Sequence, residues 1–280
     1  MSAARLIVNA DDFGLTVGHN RAIVEAHREG ILTSASLLAI GAAFDDAVER
    51  ARAAEGLGIG VHLALLEGRP LLPARALPGL VDGEGRFFLS YVHLLCGLAT
   101  GRIALAAIAQ EWRAQVEKVL GSGLTVTHLD SHKHIHMHPQ LLEVALRLAN
   151  EFGLRRMRLA RPLRWTAGGK PLALGLLSLW ARHRVAQCGV RTPDRLVGLE
   201  ASGQMVTERV LAALRRPWRG TWELMMHPAY LSDHLEQLRR EGYRWIAHYQ
   251  FEGERRALSD PALRQALDER GIRRIHYGEL

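Results

Sequence analysis

Two cysteines in 280 residues, Cys96 and Cys188, cannot frame a disulfide scaffold, and neither belongs to a C-x-x-C pair. No uninterrupted apolar run reaches the length of a membrane span. The run Arg5-Leu6-Ile7-Val8 is strand-like from the outset, with no apolar leader and cleavage site before it, so the expected compartment is the cytoplasm. Zinc-finger spacing and RNA-binding signatures are missing too, and nucleic acid is not expected as a partner. There is no internal repeat and no linker.

What is present is an ordinary balance, 48% hydrophobic and 23% charged, which allows a substantial core in one α/β domain or two. The net charge of +7 comes from scattered arginine and suits an acidic partner or an anionic membrane surface.

Five of the fourteen histidines crowd one stretch, His128 to His138, with Asp130 on the same even-numbered register. In an extended backbone alternate side chains share a face. The stretch is therefore expected to aim Asp130, His132, His134 and His136 at one space, with Leu129, Ile135 and Met137 packed behind. Imidazole with carboxylate suits a divalent metal, zinc or magnesium first, with nickel, cobalt or manganese as alternatives. His138 precedes Pro139 and is expected to cap the next helix.

Taken in order, Leu6–Ala10 reads as a buried strand ending in Asp11-Asp12-Phe13-Gly14, with Gly14 offering the turn that lets both carboxylates reach one site. A helix over His19–Arg28 closes at Gly30, and Ser34–Ile40 is the next strand. A helix over Ala43–Ala54 precedes the strand Leu57–Leu65, which carries His62. Residues 70–90, rich in Pro and Gly, read as a lid or binding loop. Ile103–Leu120 is helical, Thr125–Asp130 is a strand, and Leu141 to Phe152 keep helical spacing. Arg156–Ala160 is a short strand. Within residues 162–189, Trp165 and an apolar helix over Pro171–Ala181 ending in Arg182-His183-Arg184 suit either an interfacial helix or a subunit contact that would make a homodimer. Helices over Val206–Leu214, Asp233–Arg240 and Pro261–Arg270 and strands over Thr221–Met226 and Arg274–Tyr277 complete the pattern. Repeated strand–helix alternation predicts a single-domain α/β fold with parallel strands, a complete or distorted (β/α) barrel.

Asp11, Asp12, His62, His132 and His227 all follow predicted strands, where α/β barrels gather their chemistry. Paired carboxylates beside imidazoles with an open metal position point to metal-assisted hydrolysis of an amide or a phosphoester. A non-catalytic, membrane-associated binding protein is a third reading, which the paired carboxylates disfavour.

Asn9-Ala10-Asp11-Asp12-Phe13-Gly14, Gly60-Val61-His62, Asp130-Ser131-His132-Lys133-His134-Ile135-His136 and His227-Pro228 resemble, in order and across nearly the whole chain, the YdjC/ChbG-like carbohydrate deacetylases. Glu67-Gly68-Arg69-Pro70, the His138-Pro139 ending and His227-Pro228-Ala229 are similar to the hopanoid-biosynthesis-associated (HpnK-like) branch. Asp130-Ser131 stands where that branch commonly reads Asn-Ala and looks closer to members acting on soluble sugars. The resemblance implies a distorted barrel that removes the acetyl group from an N-acetylated sugar. Asp12, His62 and His132 would hold the metal, Asp11 would be the general base, and His227 would lie near the catalytic centre. Asp130, His134, His136, Arg161 and Glu223 are expected to touch substrate or support the ligands. The branch implies an N-acetylglucosaminyl hopanoid lipid reached at a membrane surface; a soluble chitooligosaccharide is the alternative.

Overall fold

Strand β1, Arg5–Phe13, shows how the fold divides its residues. Its even-numbered side chains Leu6, Val8 and Ala10 enter the main apolar core, whereas Ile7, Asn9 and Asp11 point to the opposite side. The same alternation holds in β2, Ser34–Leu37, in β3, Gly58–Leu63, and in β4, Val126–Ser131. Ala35, Leu37, Ile59, Val61, Leu63 and Leu129 face the core, and Ser34, Ser36, His62, His128 and Asp130 are buried on the other side.

The computed structural model describes residues 4–161 and 169–280. The remaining strands are β5, Arg195–Val197, β6, Thr221–Met226, and β7, Arg273–Arg274. All pairings between named strands are parallel, in the order β4-β3-β2-β1-β6-β5, with β7 also on β1. The two ends of this order are joined by residues 155–161. Arg158 N donates to Leu129 O at 3.1 Å on the β4 side, and Leu196 N donates to Arg161 O at 2.9 Å on the β5 side. The predicted strand at Arg156–Ala160 is thus present as isolated bridges and closes a distorted (β/α) barrel.

Helices coat the outside. They are α1, Val17–Glu29; α2, Phe44–Arg52; α3, Tyr91–Ala99; α4, Leu105–Gly121; α5, Pro139–Glu151; α6, Gly169–Gln187; α7, Thr207–Leu214; α8, Asp233–Arg240; α9, Phe251–Leu258; and α10, Pro261–Glu269. Thr16 caps α1 by accepting from His19 N, and Pro139 opens α5, where a missing N–H costs nothing. α3, α9 and β5 were not expected. α3 is apolar on most positions and so lacks a period, α9 is charged and holds a glycine, and β5 has three residues.

Residues 70–90 send three side chains into the core. A 3-10 turn at Ala74–Ala76 and an antiparallel bridge from Val81 to Phe87 bring Leu77, Leu80 and Phe87 into the core. Of residues 162–189, the stretch 162–168 with Trp165 lies outside the described residues, and the rest is mostly α6. Among the described residues, no helix is long and apolar enough to cross a membrane.

The barrel interior is sealed at the amino-terminal end by the last residues of the chain. Ile275, Tyr277 and Leu280 pack on Ile7, and the Tyr277 ring stacks on His128 with centroids 3.8 Å apart. Gly60 faces that imidazole, and a Cβ there would stand 2.3 Å from His128 Cε1. Gly60→Ala is therefore expected to lower the unfolding free energy by about 1–3 kcal/mol. Urea denaturation reads this, and an unchanged midpoint would mean that the His128 ring moves freely.

Candidate metal centre and its carboxylate clamp

At the carboxyl edge of the barrel, Asp12, His62 and His132 converge with one ligand atom each within 4.8 Å of the others. Asp12 Oδ1 lies 3.1 Å from His132 Nδ1 and 3.7 Å from His62 Nε2. All three are at least nine-tenths buried. Asp12 reaches this position because the chain turns at Asp12, at φ 62°, and again at Gly14, at φ 92°. The turn at Asp12 breaks the β1–β2 register between Ala10 and Phe13 and separates the neighbouring carboxylates.

The histidine tract departs from the extended expectation. β4 ends at Ser131, and His132–Met137 coil as a 3-10 segment with Lys133 and His134 in the left-handed region. The alternate-face arrangement is therefore lost. His132 reaches the centre, and His134 and His138 line the same cavity. His136 turns inward, with Nδ1 2.5 Å from Ser131 Oγ and Nε2 2.8 Å from Arg158 O. His128 sits deep beside Tyr277, while Ile135 and Met137 are buried in the core as expected. His138 occupies the N-cap position of α5 without a side-chain cap bond.

Carboxylates back both imidazoles. His62 Nδ1 lies 2.8 Å from Asp130 Oδ1, and His132 Nε2 lies 2.9 Å from Glu67 Oε2. With each N–H donated away from the centre, the other ring nitrogen offers a lone pair to a cation. Burial lowers the proton affinity of His132, yet the charges of Asp12 and Glu67 outweigh it and push its pKa up to about 9. Asp12 is held far below the usual carboxylate range, burial being outweighed by His132 and His62. The pocket stabilises positive charge. One carboxylate oxygen with two imidazole nitrogens is a donor set that fits a divalent metal.

Below this centre lies a second cluster, organised by Arg158, whose side chain is fully buried. Its Nη1 and Nη2 donate to Asp11 at 2.7 Å each, its Nε donates to Glu223 Oε1 at 2.8 Å, and Nη1 is 2.8 Å from Asp130 Oδ2. Asn9 Nδ2 adds a bond to Asp11 Oδ1, and Tyr277 donates its hydroxyl to Glu223 Oε2. Asp11, His62 and Asp130 could in principle group around a metal as well. Arg158 already supplies the cation there.

His227 follows β6, with Nε2 3.9 Å from Asp11 Oδ2 and Nδ1 3.7 Å from Glu254 Oε2. Its backbone N–H also donates to Glu254. Burial opposes protonation of His227, but Glu254, Asp11 and Asp12 raise its pKa above the usual value.

Two cavities meet at the centre. One, of about 620 Å³, holds Asp11, Asp12, His62, His132 and His227 and has apolar walls from Leu95, Leu177, Leu199 and Met225. The other, of about 570 Å³, shares Asp12, His132 and Trp245 and has a polar rim that includes Asp82, Glu84, Arg86 and Glu241. Asp130, His136 and Glu223 support the site from beneath, whereas Arg161 lines neither cavity and donates Nη1 to Asp194 O at 3.1 Å. The sequence reading gave no role to Arg158, Glu67, Trp245 or Glu254. Arg158 lies inside a predicted strand, but Arg156 shares that strand, so the charge alone did not single it out.

A parallel α/β barrel that gathers Asp11, Asp12, His62, His132 and His227 at the carboxyl ends of its strands places them where such folds assemble their functional sites. Residues 5–269 match the YdjC-like protein family, and the chain belongs to it. It is 30% identical to a carbohydrate deacetylase of Thermoanaerobacter pseudethanolicus over 98% of both chains. It is 45% identical to a carbohydrate deacetylase of Brevibacillus brevis over 148 residues, 53% of this chain and 56% of that one. A crystal structure from Enterococcus faecalis V583, described provisionally as a cellobiose-phosphate cleavage protein, superposes with TM-score 0.79 at 29% identity over 99% of each chain.

Arg158→Met would strand Asp11 and Asp130 without their cation and is expected to cost about 3–5 kcal/mol in urea denaturation. A smaller loss than that of Gly60→Ala would show that solvent reaches the cluster. A second prediction concerns acid. Burial lowers the pKa of His19 and His136 to about 4 and of His128 to about 3. An unfolded histidine takes its proton near 6.5, so below that pH the unfolded chain binds more protons and these three groups favour unfolding. Each contributes a loss of about 1.4 kcal/mol per pH unit between about 6.5 and its folded value. His128→Gln should flatten the fall in stability between pH 6 and 5 by about that amount, and an unaltered slope would contradict the assignment.

Proposed function

We propose that this protein is a metal-dependent N-deacetylase of an N-acetylated sugar, and that the sugar is carried on an apolar lipid of the hopanoid type. One observation carries the chemistry: Asp11, His227 and the Asp12–His62–His132 centre open into the same cavity. The names of the curated relatives support carbohydrate deacetylation, and the apolar cavity walls support a lipid aglycone.

A divalent ion held by Asp12, His62 and His132 would lower the pKa of a bound water and polarise the acetyl carbonyl. The two imidazole donors favour zinc over magnesium. Asp11 takes the proton of the attacking water, and its oxygens are fixed for that task by Arg158 and Asn9. His227, whose raised pKa keeps it protonated closer to neutrality, gives a proton to the nitrogen as the amide C–N bond breaks. Acetate and the sugar amine leave. Tyr249, packed edge-on against His227 with ring centroids 4.9 Å apart, limits where that imidazole can swing.

Exposed apolar side chains near the cavity mouth support a surface-bound substrate. Tyr91 and Val92 on α3 and Leu176, Leu179 and Trp180 on α6 face solvent, while Tyr91 and Leu177 also line the cavity. With the +7 net charge, this rim favours peripheral attachment to an anionic membrane. The polar cavity supports a second reading, a soluble N-acetylated oligosaccharide bound between residues 82–86 and Trp245.

Acetate release by zinc-loaded protein tests both readings, with N-acetylglucosaminyl-bacteriohopanetetrol and diacetylchitobiose offered separately. Release from the lipid alone supports the first reading, and release from the soluble sugar alone supports the second. Release from neither, with phosphate freed from a sugar phosphate, would replace deacetylation by phosphoester cleavage. Asp11→Asn should retain metal and lose about 10²- to 10⁴-fold in kcat.

A further inference from the structure

We propose that Glu67 is the positioning residue for His132, fixing which imidazole nitrogen faces the metal centre. The inference rests on the cation site of the preceding section and adds a residue to it. Glu67 is 4% exposed and receives three donors, from the neighbours His132 and Lys133 and from the distant Trp245. His132 Nε2 lies 2.9 Å from Oε2, Trp245 Nε1 donates to the same oxygen at 2.9 Å, and Lys133 Nζ pairs with Oε1.

A neutral imidazole has one N–H and one lone pair, and the partner of the N–H decides which nitrogen is which. With the Nε2 proton committed to Glu67, the proton that a bound cation would displace is the one on Nδ1, 3.1 Å from Asp12 Oδ1, and its loss leaves the lone pair there. The other neutral tautomer would aim Nδ1–H at Asp12 and leave no N–H for Glu67. His62 has the matching arrangement, with Asp130 on its Nδ1 and Nε2 toward Asp12. The two ligands are therefore oriented by separate carboxylates and use opposite ring nitrogens.

Glu67 is itself held in place. Its backbone takes φ 64°, its N–H donates to Phe88 O at 3.3 Å, and Phe87 N donates to Gly68 O at 2.9 Å. Residues 70–90 thereby anchor the carboxylate that orients His132. Trp245 lines both cavities and reaches the same carboxylate, so the wall between them and the ligand orientation share one residue.

The neighbouring cation supplies the discriminating control. Glu67→Gln removes the charge that supports His132, whereas Lys133→Met leaves that charge and removes its competitor. Zinc and cobalt affinity of the full-length variants, measured by competition with a chromophoric chelator, should fall about 10- to 100-fold in Glu67→Gln. Affinity should be equal or higher in Lys133→Met, and the visible spectrum of the cobalt form should change in Glu67→Gln alone. Circular dichroism and melting in chelator should show both variants folded, and Glu67→Asp, if Glu67→Gln fails to fold, offers the same carboxylate one methylene short and should bind metal more weakly. Wild-type affinity in Glu67→Gln, or an equal loss in both variants, would overturn the positioning role while leaving the metal site standing. A wild-type protein that binds no divalent ion would overturn both.

Discussion

Arg158 is a guanidinium with no exposed side-chain surface among Asp11, Asp130 and Glu223, and removal of a charge from water costs several kcal/mol unless its partners are well placed. The barrel interior is built to place them. Asn9 and Ser36 donate second bonds to oxygens that Arg158 already holds, Asp11 Oδ1 and Asp130 Oδ2, and the Tyr277 hydroxyl closes the far side of Glu223. Burial raises the pKa of Glu223, with Arg158 pulling the other way, which eases the excess of negative charge. The segment that carries Arg158 is also the segment that closes the barrel, so the closing of the fold and the neutralising of its interior are one event.

The same arginine separates two kinds of carboxylate. Asp11 and Asp130 are already paired with a cation of the protein, and Asp12 is not. Among the described residues, Asp12 is paired with the imidazoles of His62 and His132, a donor set that fits a cation. Two adjacent aspartates thus acquire different surroundings from the partners each one meets. Asp130 connects the clusters, accepting from Arg158 through one oxygen and from His62 through the other. Displacement of Arg158 would therefore reach His62 through a single side chain.

The sequence displayed the strands of the barrel because buried parallel strands are continuous apolar runs, and it displayed Asp12, His62, His132 and His227 because polar residues stand out where such runs end. Its silence on Arg158 has a physical cause. Arginine occurs at 155, 156, 158 and 161, and only pairing across the closing bridge determines which one turns inward. Glu67 and Glu254 were hidden for a different reason, since each works through contacts far apart in the chain, Glu67 with Trp245 and Glu254 with Met205 and His227. The histidine tract misled by its period. Alternation every second residue describes a strand, but the left-handed backbone at Lys133 and His134 curls the tract into a turn and gives His128, His132 and His136 three separate tasks.

Backbone conformation marks the same place independently of residue chemistry. Among the described residues, the non-glycine residues with positive φ are Asp12, Glu67, Lys133 and His134. Each such residue costs about 1–3 kcal/mol and persists only where its surroundings hold it there. Asp12 is turned out of the strand to reach two imidazoles, Glu67 is turned toward His132, and Lys133 follows a ligand and pairs with Glu67. Relaxing any of them to an ordinary backbone would swing a carboxylate or its counter-ion off the centre. Strained backbone gathered around one cluster of carboxylates and imidazoles persists because the hydrogen bonds and ion pairs of that cluster over-determine it.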